Sequence, residues 1–112
     1  MLTFLAALTL AAAPAEPVLT PPQAAALRCG VVFALGAKVQ AEKRPPALGW
    51  PPLGTRGKEY FVRVTAKLMD DTKASRETIT AMAMRHVPAL STPGALSAAM
   101  PGCLPLLEAS GQ

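Results

Sequence analysis

The sequence predicts an all-α protein, a small bundle of four to five short helices tied by one disulfide and preceded by an N-terminal signal peptide. Three observations lead there. Apolar residues recur at three- and four-residue spacing, and no run alternates with the period of two that a half-buried strand requires. Proline and glycine gather in short clusters between those stretches, where they read as connections. Two cysteines are present, Cys29 early in the chain and Cys103 near its end.

The chain opens MLTFLAALTLAAAPAEP, in which Leu2 to Ala13 is an uncharged apolar run. At about 1.5 Å per helical residue that run falls well short of a hydrocarbon core of about 30 Å. It matches the apolar region of a secretory signal peptide, about 7–15 residues long. Ala13-Pro14-Ala15 supplies the small-x-small pattern of a cleavage site. Residues 1–15 are therefore read as a signal peptide and 16–112 as a single small helical domain. Cleavage after Ala13 is the second choice, because Pro14 would follow the cut. The run has no Lys or Arg before it, and its alternative reading is a buried N-terminal helix. A lipoprotein is set aside, since Cys29 lies well downstream and follows Arg28. No later segment is expected to span a membrane, because the run around Cys29 is interrupted by Arg28 and ends at Lys38. The expected address is periplasmic or secreted.

After the extended lead-in EPVLT, Thr20 reads as an N-cap with Pro21 and Pro22 in the first helical turn. The helix should run from about Pro21 to Gln40, with Leu27, Val31, Ala34, Leu35 and Val39 on its apolar face. Gly30 and Gly36 weaken it by about 1 kcal/mol each relative to Ala, but they allow a neighbouring helix to approach closely. The segment EKRPPALGWPPLGTRG holds four prolines and three glycines around the only Trp, and it reads as a connection. Pro51 and Pro52 would also serve to start the next helix early. KEYFVRVTAKLMDD is the clearest amphipathic stretch, with Tyr60, Phe61, Val64 and Leu68 on one face and Lys58, Glu59, Arg63 and Lys67 on the other. DTKAS is a turn, and Ser75 should cap RETITAMAMRHV, where Ile79, Met82, Ala83, His86 and Leu90 form a stripe. Pro88 is expected to end or kink that helix. The last segment, GALSAAMPGCLPLLEA, is interrupted by Pro101-Gly102 and Pro105 and predicts a broken pair of short helices. Aromatics are scarce and Ala is abundant, so the core should be thin.

In an oxidising compartment two cysteines in a small domain are most simply a disulfide. The alternatives are two buried thiols or a redox pair, the latter disfavoured by the absence of Cys-x-x-Cys. The formal charge of +4 is carried by scattered residues of both signs, which favours solubility over nucleic-acid binding. Arg28, Arg56, Lys58 and Arg63 read as a solvated face. Chemistry-bearing motifs are few: no nucleophile elbow, no phosphate-cradling glycine loop and no His-Glu-x-x-His. Asp70-Asp71 diverge by about 100° on a helix and fit a helix end better than a carboxylate pair. No catalytic residue, cofactor or cofactor-binding residue is assigned. The sharpest chemical candidate is Met82 with His86, four apart in MAMRH, a soft pair suited to Cu(I). Met100 or Trp50 would complete such a site only if the fold brings them close. The plainer reading has Met82 in a plastic core with His86 at its edge, and it assigns no metal.

In outline, an exported, all-helical chain with one long-range disulfide looks like the small periplasmic acid-stress chaperones, although no motif carries that likeness. This chain departs from them in being basic, proline-rich and poor in aromatics. A closer likeness lies in PPLGTRGKEYFVRVTAKLMDDT, SRETI and the ending MPGCLPLLEASG. With an Ala-rich helix carrying Arg-Cys after a leader, these resemble small exported two-cysteine proteins of alphaproteobacteria, of sphingomonad type. The resemblance covers most of residues 16–112. It implies a periplasmic address and supports the Cys29–Cys103 pairing, and it carries no activity. The expected function is non-enzymatic, through a protein or cell-envelope partner. Copper binding through Met82 and His86 is the alternative, and chaperone-like holding of clients a second.

Overall fold

The computed structural model describes residues 15–44 and 49–111. Its elements are α1 (Pro21–Ala41), α2 (Gly54–Thr72), α3 (Arg76–Met84), the single turn α4 (Val87–Leu90) and α5 (Ala95–Ala109). No strand occurs among the described residues. The expected leader lies outside them apart from Ala15. The lead-in from Ala15 is extended, with Leu19 against the core and the Glu16 carboxylate paired with Arg85 in the turn after α3.

Thr20 caps α1 as expected, and Gln23 completes a reciprocal box. The Gln23 amide N–H donates to Thr20 Oγ1 at 3.3 Å, and Gln23 Oε1 accepts from the Thr20 N–H at 2.9 Å. The single apolar stripe expected on α1 is too narrow. Cys29 to Phe33 are all buried, together with Leu27 and Gly36, whereas Ala34 is exposed. Burial spread this far around a helix marks a central one, and α2, α3 and α5 all pack on it. By length and composition α1 does qualify to cross a membrane, contrary to the expectation above. Here its middle is enclosed by protein.

Leu53 enters α2 from the Pro51-Pro52 step, and its carbonyl accepts from Gly57 N–H at 2.8 Å, so α2 begins at Gly54 rather than Lys58. Along the α1–α2 seam Gly36 meets Leu53, Phe33 meets Gly57 and Gly30 meets Phe61. Residue numbers rise on one helix as they fall on the other, so the two are antiparallel. Glycine on each helix receives a ring or ring-bearing residue from its partner. The Tyr60 ring meets Phe33 edge-to-face, with centroids 4.9 Å apart, and its Oη donates to the Ala26 carbonyl at 3.1 Å. Burial pushes the Tyr60 phenol above its ordinary pKa.

Lys73 turns the chain out of α2 in a left-handed conformation, φ 60°, and Ser75 caps α3 by accepting from Thr78 N–H at 3.2 Å. Ile79, Ala83 and Leu90 of the expected stripe are buried, and Met82 and His86 are half-buried. The helix stops at Met84, before Pro88. That proline sits in the first turn of α4, where its missing N–H would be unsatisfied in any case.

The largest departure is α5, which is one helix and not a broken pair. Pro101 and Pro105 are four apart, share a face and are both exposed. The carbonyls they leave without helical partners, those of Ser97 and Pro101, lie one turn back along the helix. On the opposite side Met100, Cys103 and Leu107 are buried against the core. Packing of that face offsets a propensity cost of about 3 kcal/mol per interior proline.

Candidate functional site

Cys29 and Cys103, 74 residues apart, form a disulfide that joins α1 to α5, with Cα atoms 5.3 Å apart. Both are buried, at 5% and 1% exposure, so neither sulfur presents an accessible thiol or a metal ligand. This pair is a staple.

The copper candidates stand differently. Met82 packs at the edge of the core, and His86 is half-buried in the turn between α3 and α4, where its main chain bonds Ala83 and Leu90. Burial, followed by the nearby positive charge of Arg28, lowers the His86 pKa below its ordinary value. The neutral imidazole suits a metal, but the same Arg28 charge opposes any cation there. Met100 is fully buried beside Gly36 and Leu53, with Trp50 at the same place. On α1, Gly36 lies eight residues beyond Arg28, about 12 Å along the helix. Met100 and Trp50 therefore lie about two turns further along α1 than Arg28. Among the described residues no three His, Cys, Asp or Glu side chains gather as a metal site. Asp70 and Asp71 fall in the last turn of α2, and Asp71 pairs with Lys67 at 3.0 Å. Of the expected solvated cations, Arg56 instead bridges to Glu108 at 2.9 Å and ties the start of α2 to the end of α5.

A cleft that sequence reading did not assign lies between the C-terminal part of α1 and the α4–α5 corner. It measures about 380 Å³ and is lined by Leu35, Lys38, Arg44, Trp50, Leu90 and Ser97, among others. Its far wall is held by Gln40. The Gln40 amide donates to the Pro51 carbonyl at 2.8 Å and, at 3.5 Å, to that of Trp50, and its Oε1 accepts from Leu53 N–H at 2.9 Å. A segment with two consecutive prolines has few N–H groups with which to pair itself, so one side-chain amide answers two of its carbonyls and the Leu53 N–H. Trp50 is thereby fixed half-buried against Gly36. The available signal for Gln40 was its position, a lone amide between an apolar helix and a proline-rich segment.

Compared with known proteins, the chain matches no family model, no curated protein and no solved structure.

Proposed function

We propose that this is an exported, disulfide-tied helical domain that works by binding to protein or cell-envelope partners and not by catalysis. The observation that carries the address is the buried Cys29–Cys103 disulfide, because such bonds persist in oxidising compartments. The lead-in adds support. Glu16, the residue expected to follow the cleavage site, pairs with Arg85, and Leu19 contributes to the core. Processing between Ala15 and Glu16 would leave every one of those contacts in place. Binding is favoured over catalysis because no three His, Cys, Asp or Glu side chains gather among the described residues and Asp71 is engaged by Lys67. The resemblance to small exported alphaproteobacterial proteins points to the same compartment. Copper handling through Met82 and His86 is the weaker reading, since the Arg28 charge opposes it.

The test is the intact mass of the protein recovered from its native host, with and without reduction and alkylation. The expected mass begins at Glu16, lacks two hydrogens, and accepts alkylating reagent only after reduction under denaturing conditions. A full-length mass with two alkylated thiols would overturn the address and the function built on it.

A further inference from the structure

We infer that the cleft between α1 and the α4–α5 corner binds an anionic saccharide, a pyranose unit carrying phosphate or carboxylate, with Lys38 and Arg44 on the charge and Trp50 against the ring. The inference rests on the exported, binding role proposed above and names a ligand class for it.

Four features of the cleft converge. Its charged lining is wholly basic: Lys38 and Arg44 face no Asp or Glu among the residues that line it. Arg44 pairs with Glu42, which lies outside the lining, its Nε 2.5 Å from the carboxylate. Lys38 stands exposed, with no carboxylate paired to it among the described residues. The same lining holds the only Trp of the chain, half-buried and braced by the Gln40 bonds to the carbonyls of Trp50 and Pro51. A flat indole held in place is a platform for the apolar face of a sugar ring, and its rigidity lowers the entropy cost of binding.

The remaining lining supplies hydroxyls. Ser91 Oγ and Thr92 Oγ1 donate to the carbonyls of Val87 and Ala89, which leaves their oxygen lone pairs as acceptors for sugar hydroxyls. Ser97 adds a third hydroxyl. A purely apolar ligand would strand these groups and the two cations. A bare oxyanion would leave Trp50 unused. A volume of about 380 Å³ lies at the small end of ligand sites, enough for one or two sugar units.

The experiment follows Trp50 fluorescence, which reports this cleft alone because the chain has no other Trp. The full folded domain is titrated with glucose 6-phosphate, glucuronate, glucose and inorganic phosphate, and separately with phosphatidylglycerol vesicles. The expected result is saturable binding of the first two, with glucose and inorganic phosphate each weaker by about tenfold or more. Lys38→Glu, on an exposed position, should weaken the two anionic sugars by about tenfold or more while helicity by circular dichroism is retained. Trp50→Leu, followed by ligand-observed NMR, should weaken glucose and the anionic sugars alike. Several results would overturn the inference: no saturable response to either anionic sugar, equal response to inorganic phosphate, indifference to Lys38→Glu, or binding to vesicles alone. None of them touches the mass measurement, so failure here and failure of the exported role are distinguishable.

Discussion

The Thr65 hydroxyl is buried in α2 with no hydrogen-bond partner among the described residues, although a helical threonine ordinarily reaches the carbonyl one turn back. Leaving such a group unpaired costs about 1–3 kcal/mol, and valine has nearly the same shape without the hydroxyl. We expect Thr65→Val to raise stability by about 1 kcal/mol, read from the urea midpoint at unchanged slope. A loss of stability would mean that the hydroxyl has a partner in solution. His86 is a second residue at odds with its surroundings. Burial and then Arg28 hold its pKa below the ordinary value of 6.5, so the folded protein takes up this proton less readily than the unfolded chain. Its contribution to stability is therefore present above the unfolded pKa and lost as pH falls through the folded one. Urea midpoints should decline from about pH 7.5 to about pH 5, His86→Gln should flatten part of that decline, and Arg28→Gln should flatten less of it. A profile unchanged by His86→Gln would place the acid sensitivity elsewhere.

Among elements, the glycines of α1 and α5 show how packing reverses a local preference. A Cβ on Gly36 would stand 2.7 Å from Leu53 Cδ1 and 2.9 Å from Met100 Cε, both on fully buried side chains. At Gly30 it would stand 2.8 Å from Phe61 Cδ2, on a ring that is only half-buried and so has less packed around it to oppose a shift. At Gly102, exposed in α5, it would meet nothing within 4 Å. Ala is favoured over Gly in a helix by about 1 kcal/mol, whereas overpacking costs about 1–3 kcal/mol. Gly102→Ala should therefore stabilise, Gly30→Ala should be close to neutral, and Gly36→Ala should destabilise, ranked by thermal midpoint. A stabilising Gly36→Ala would contradict the seam described here. The same contrast explains what could be read in advance. The caps at Thr20 and Ser75, the pairing of Cys29 with Cys103 and the close-approach role of Gly30 and Gly36 are local or compositional signals, and each was legible. The continuous α5 was not, because Pro101 and Pro105 are breakers by propensity and only burial of Met100, Cys103 and Leu107 overrides them. The encirclement of α1 was equally hidden: periodicity reveals one apolar face and says nothing of three neighbours. The cleft depends on Lys38, Arg44, Trp50 and Ser97 meeting across the fold, and no spacing along the chain announces that.

At the scale of the molecule, the disulfide anchors the helix that carries two interior prolines. Cys103 lies between Pro101 and Pro105, in the helix that loses two internal hydrogen bonds, and its partner lies in the most enclosed turn of the central helix. A bond between the two transfers the rigidity of α1 to a segment with poor propensity of its own. Chain-entropy reasoning for a loop closed over 74 residues gives about 4 kcal/mol, and removal of such a bond typically costs about 2–5 kcal/mol. That is a large share of the 5–15 kcal/mol or so expected in total. The Cys29→Ala/Cys103→Ala double variant should therefore lose about 2–5 kcal/mol in urea unfolding, with a steeper slope because its unfolded chain is no longer cross-linked and exposes more surface. The loss should also be uneven. If α5 depends on the staple, amide protection in Ala95–Ala109 should fall further than in the α1–α2 pair, where reciprocal glycine and ring contacts and the Tyr60–Ala26 hydrogen bond persist without it. Hydrogen exchange on the double variant at neutral pH separates the two cases. Preferential opening of α5 would establish the bond as the brace of a proline-weakened helix. Uniform loss over all helices would instead make the whole bundle one cooperative unit, with the disulfide acting solely through the unfolded state.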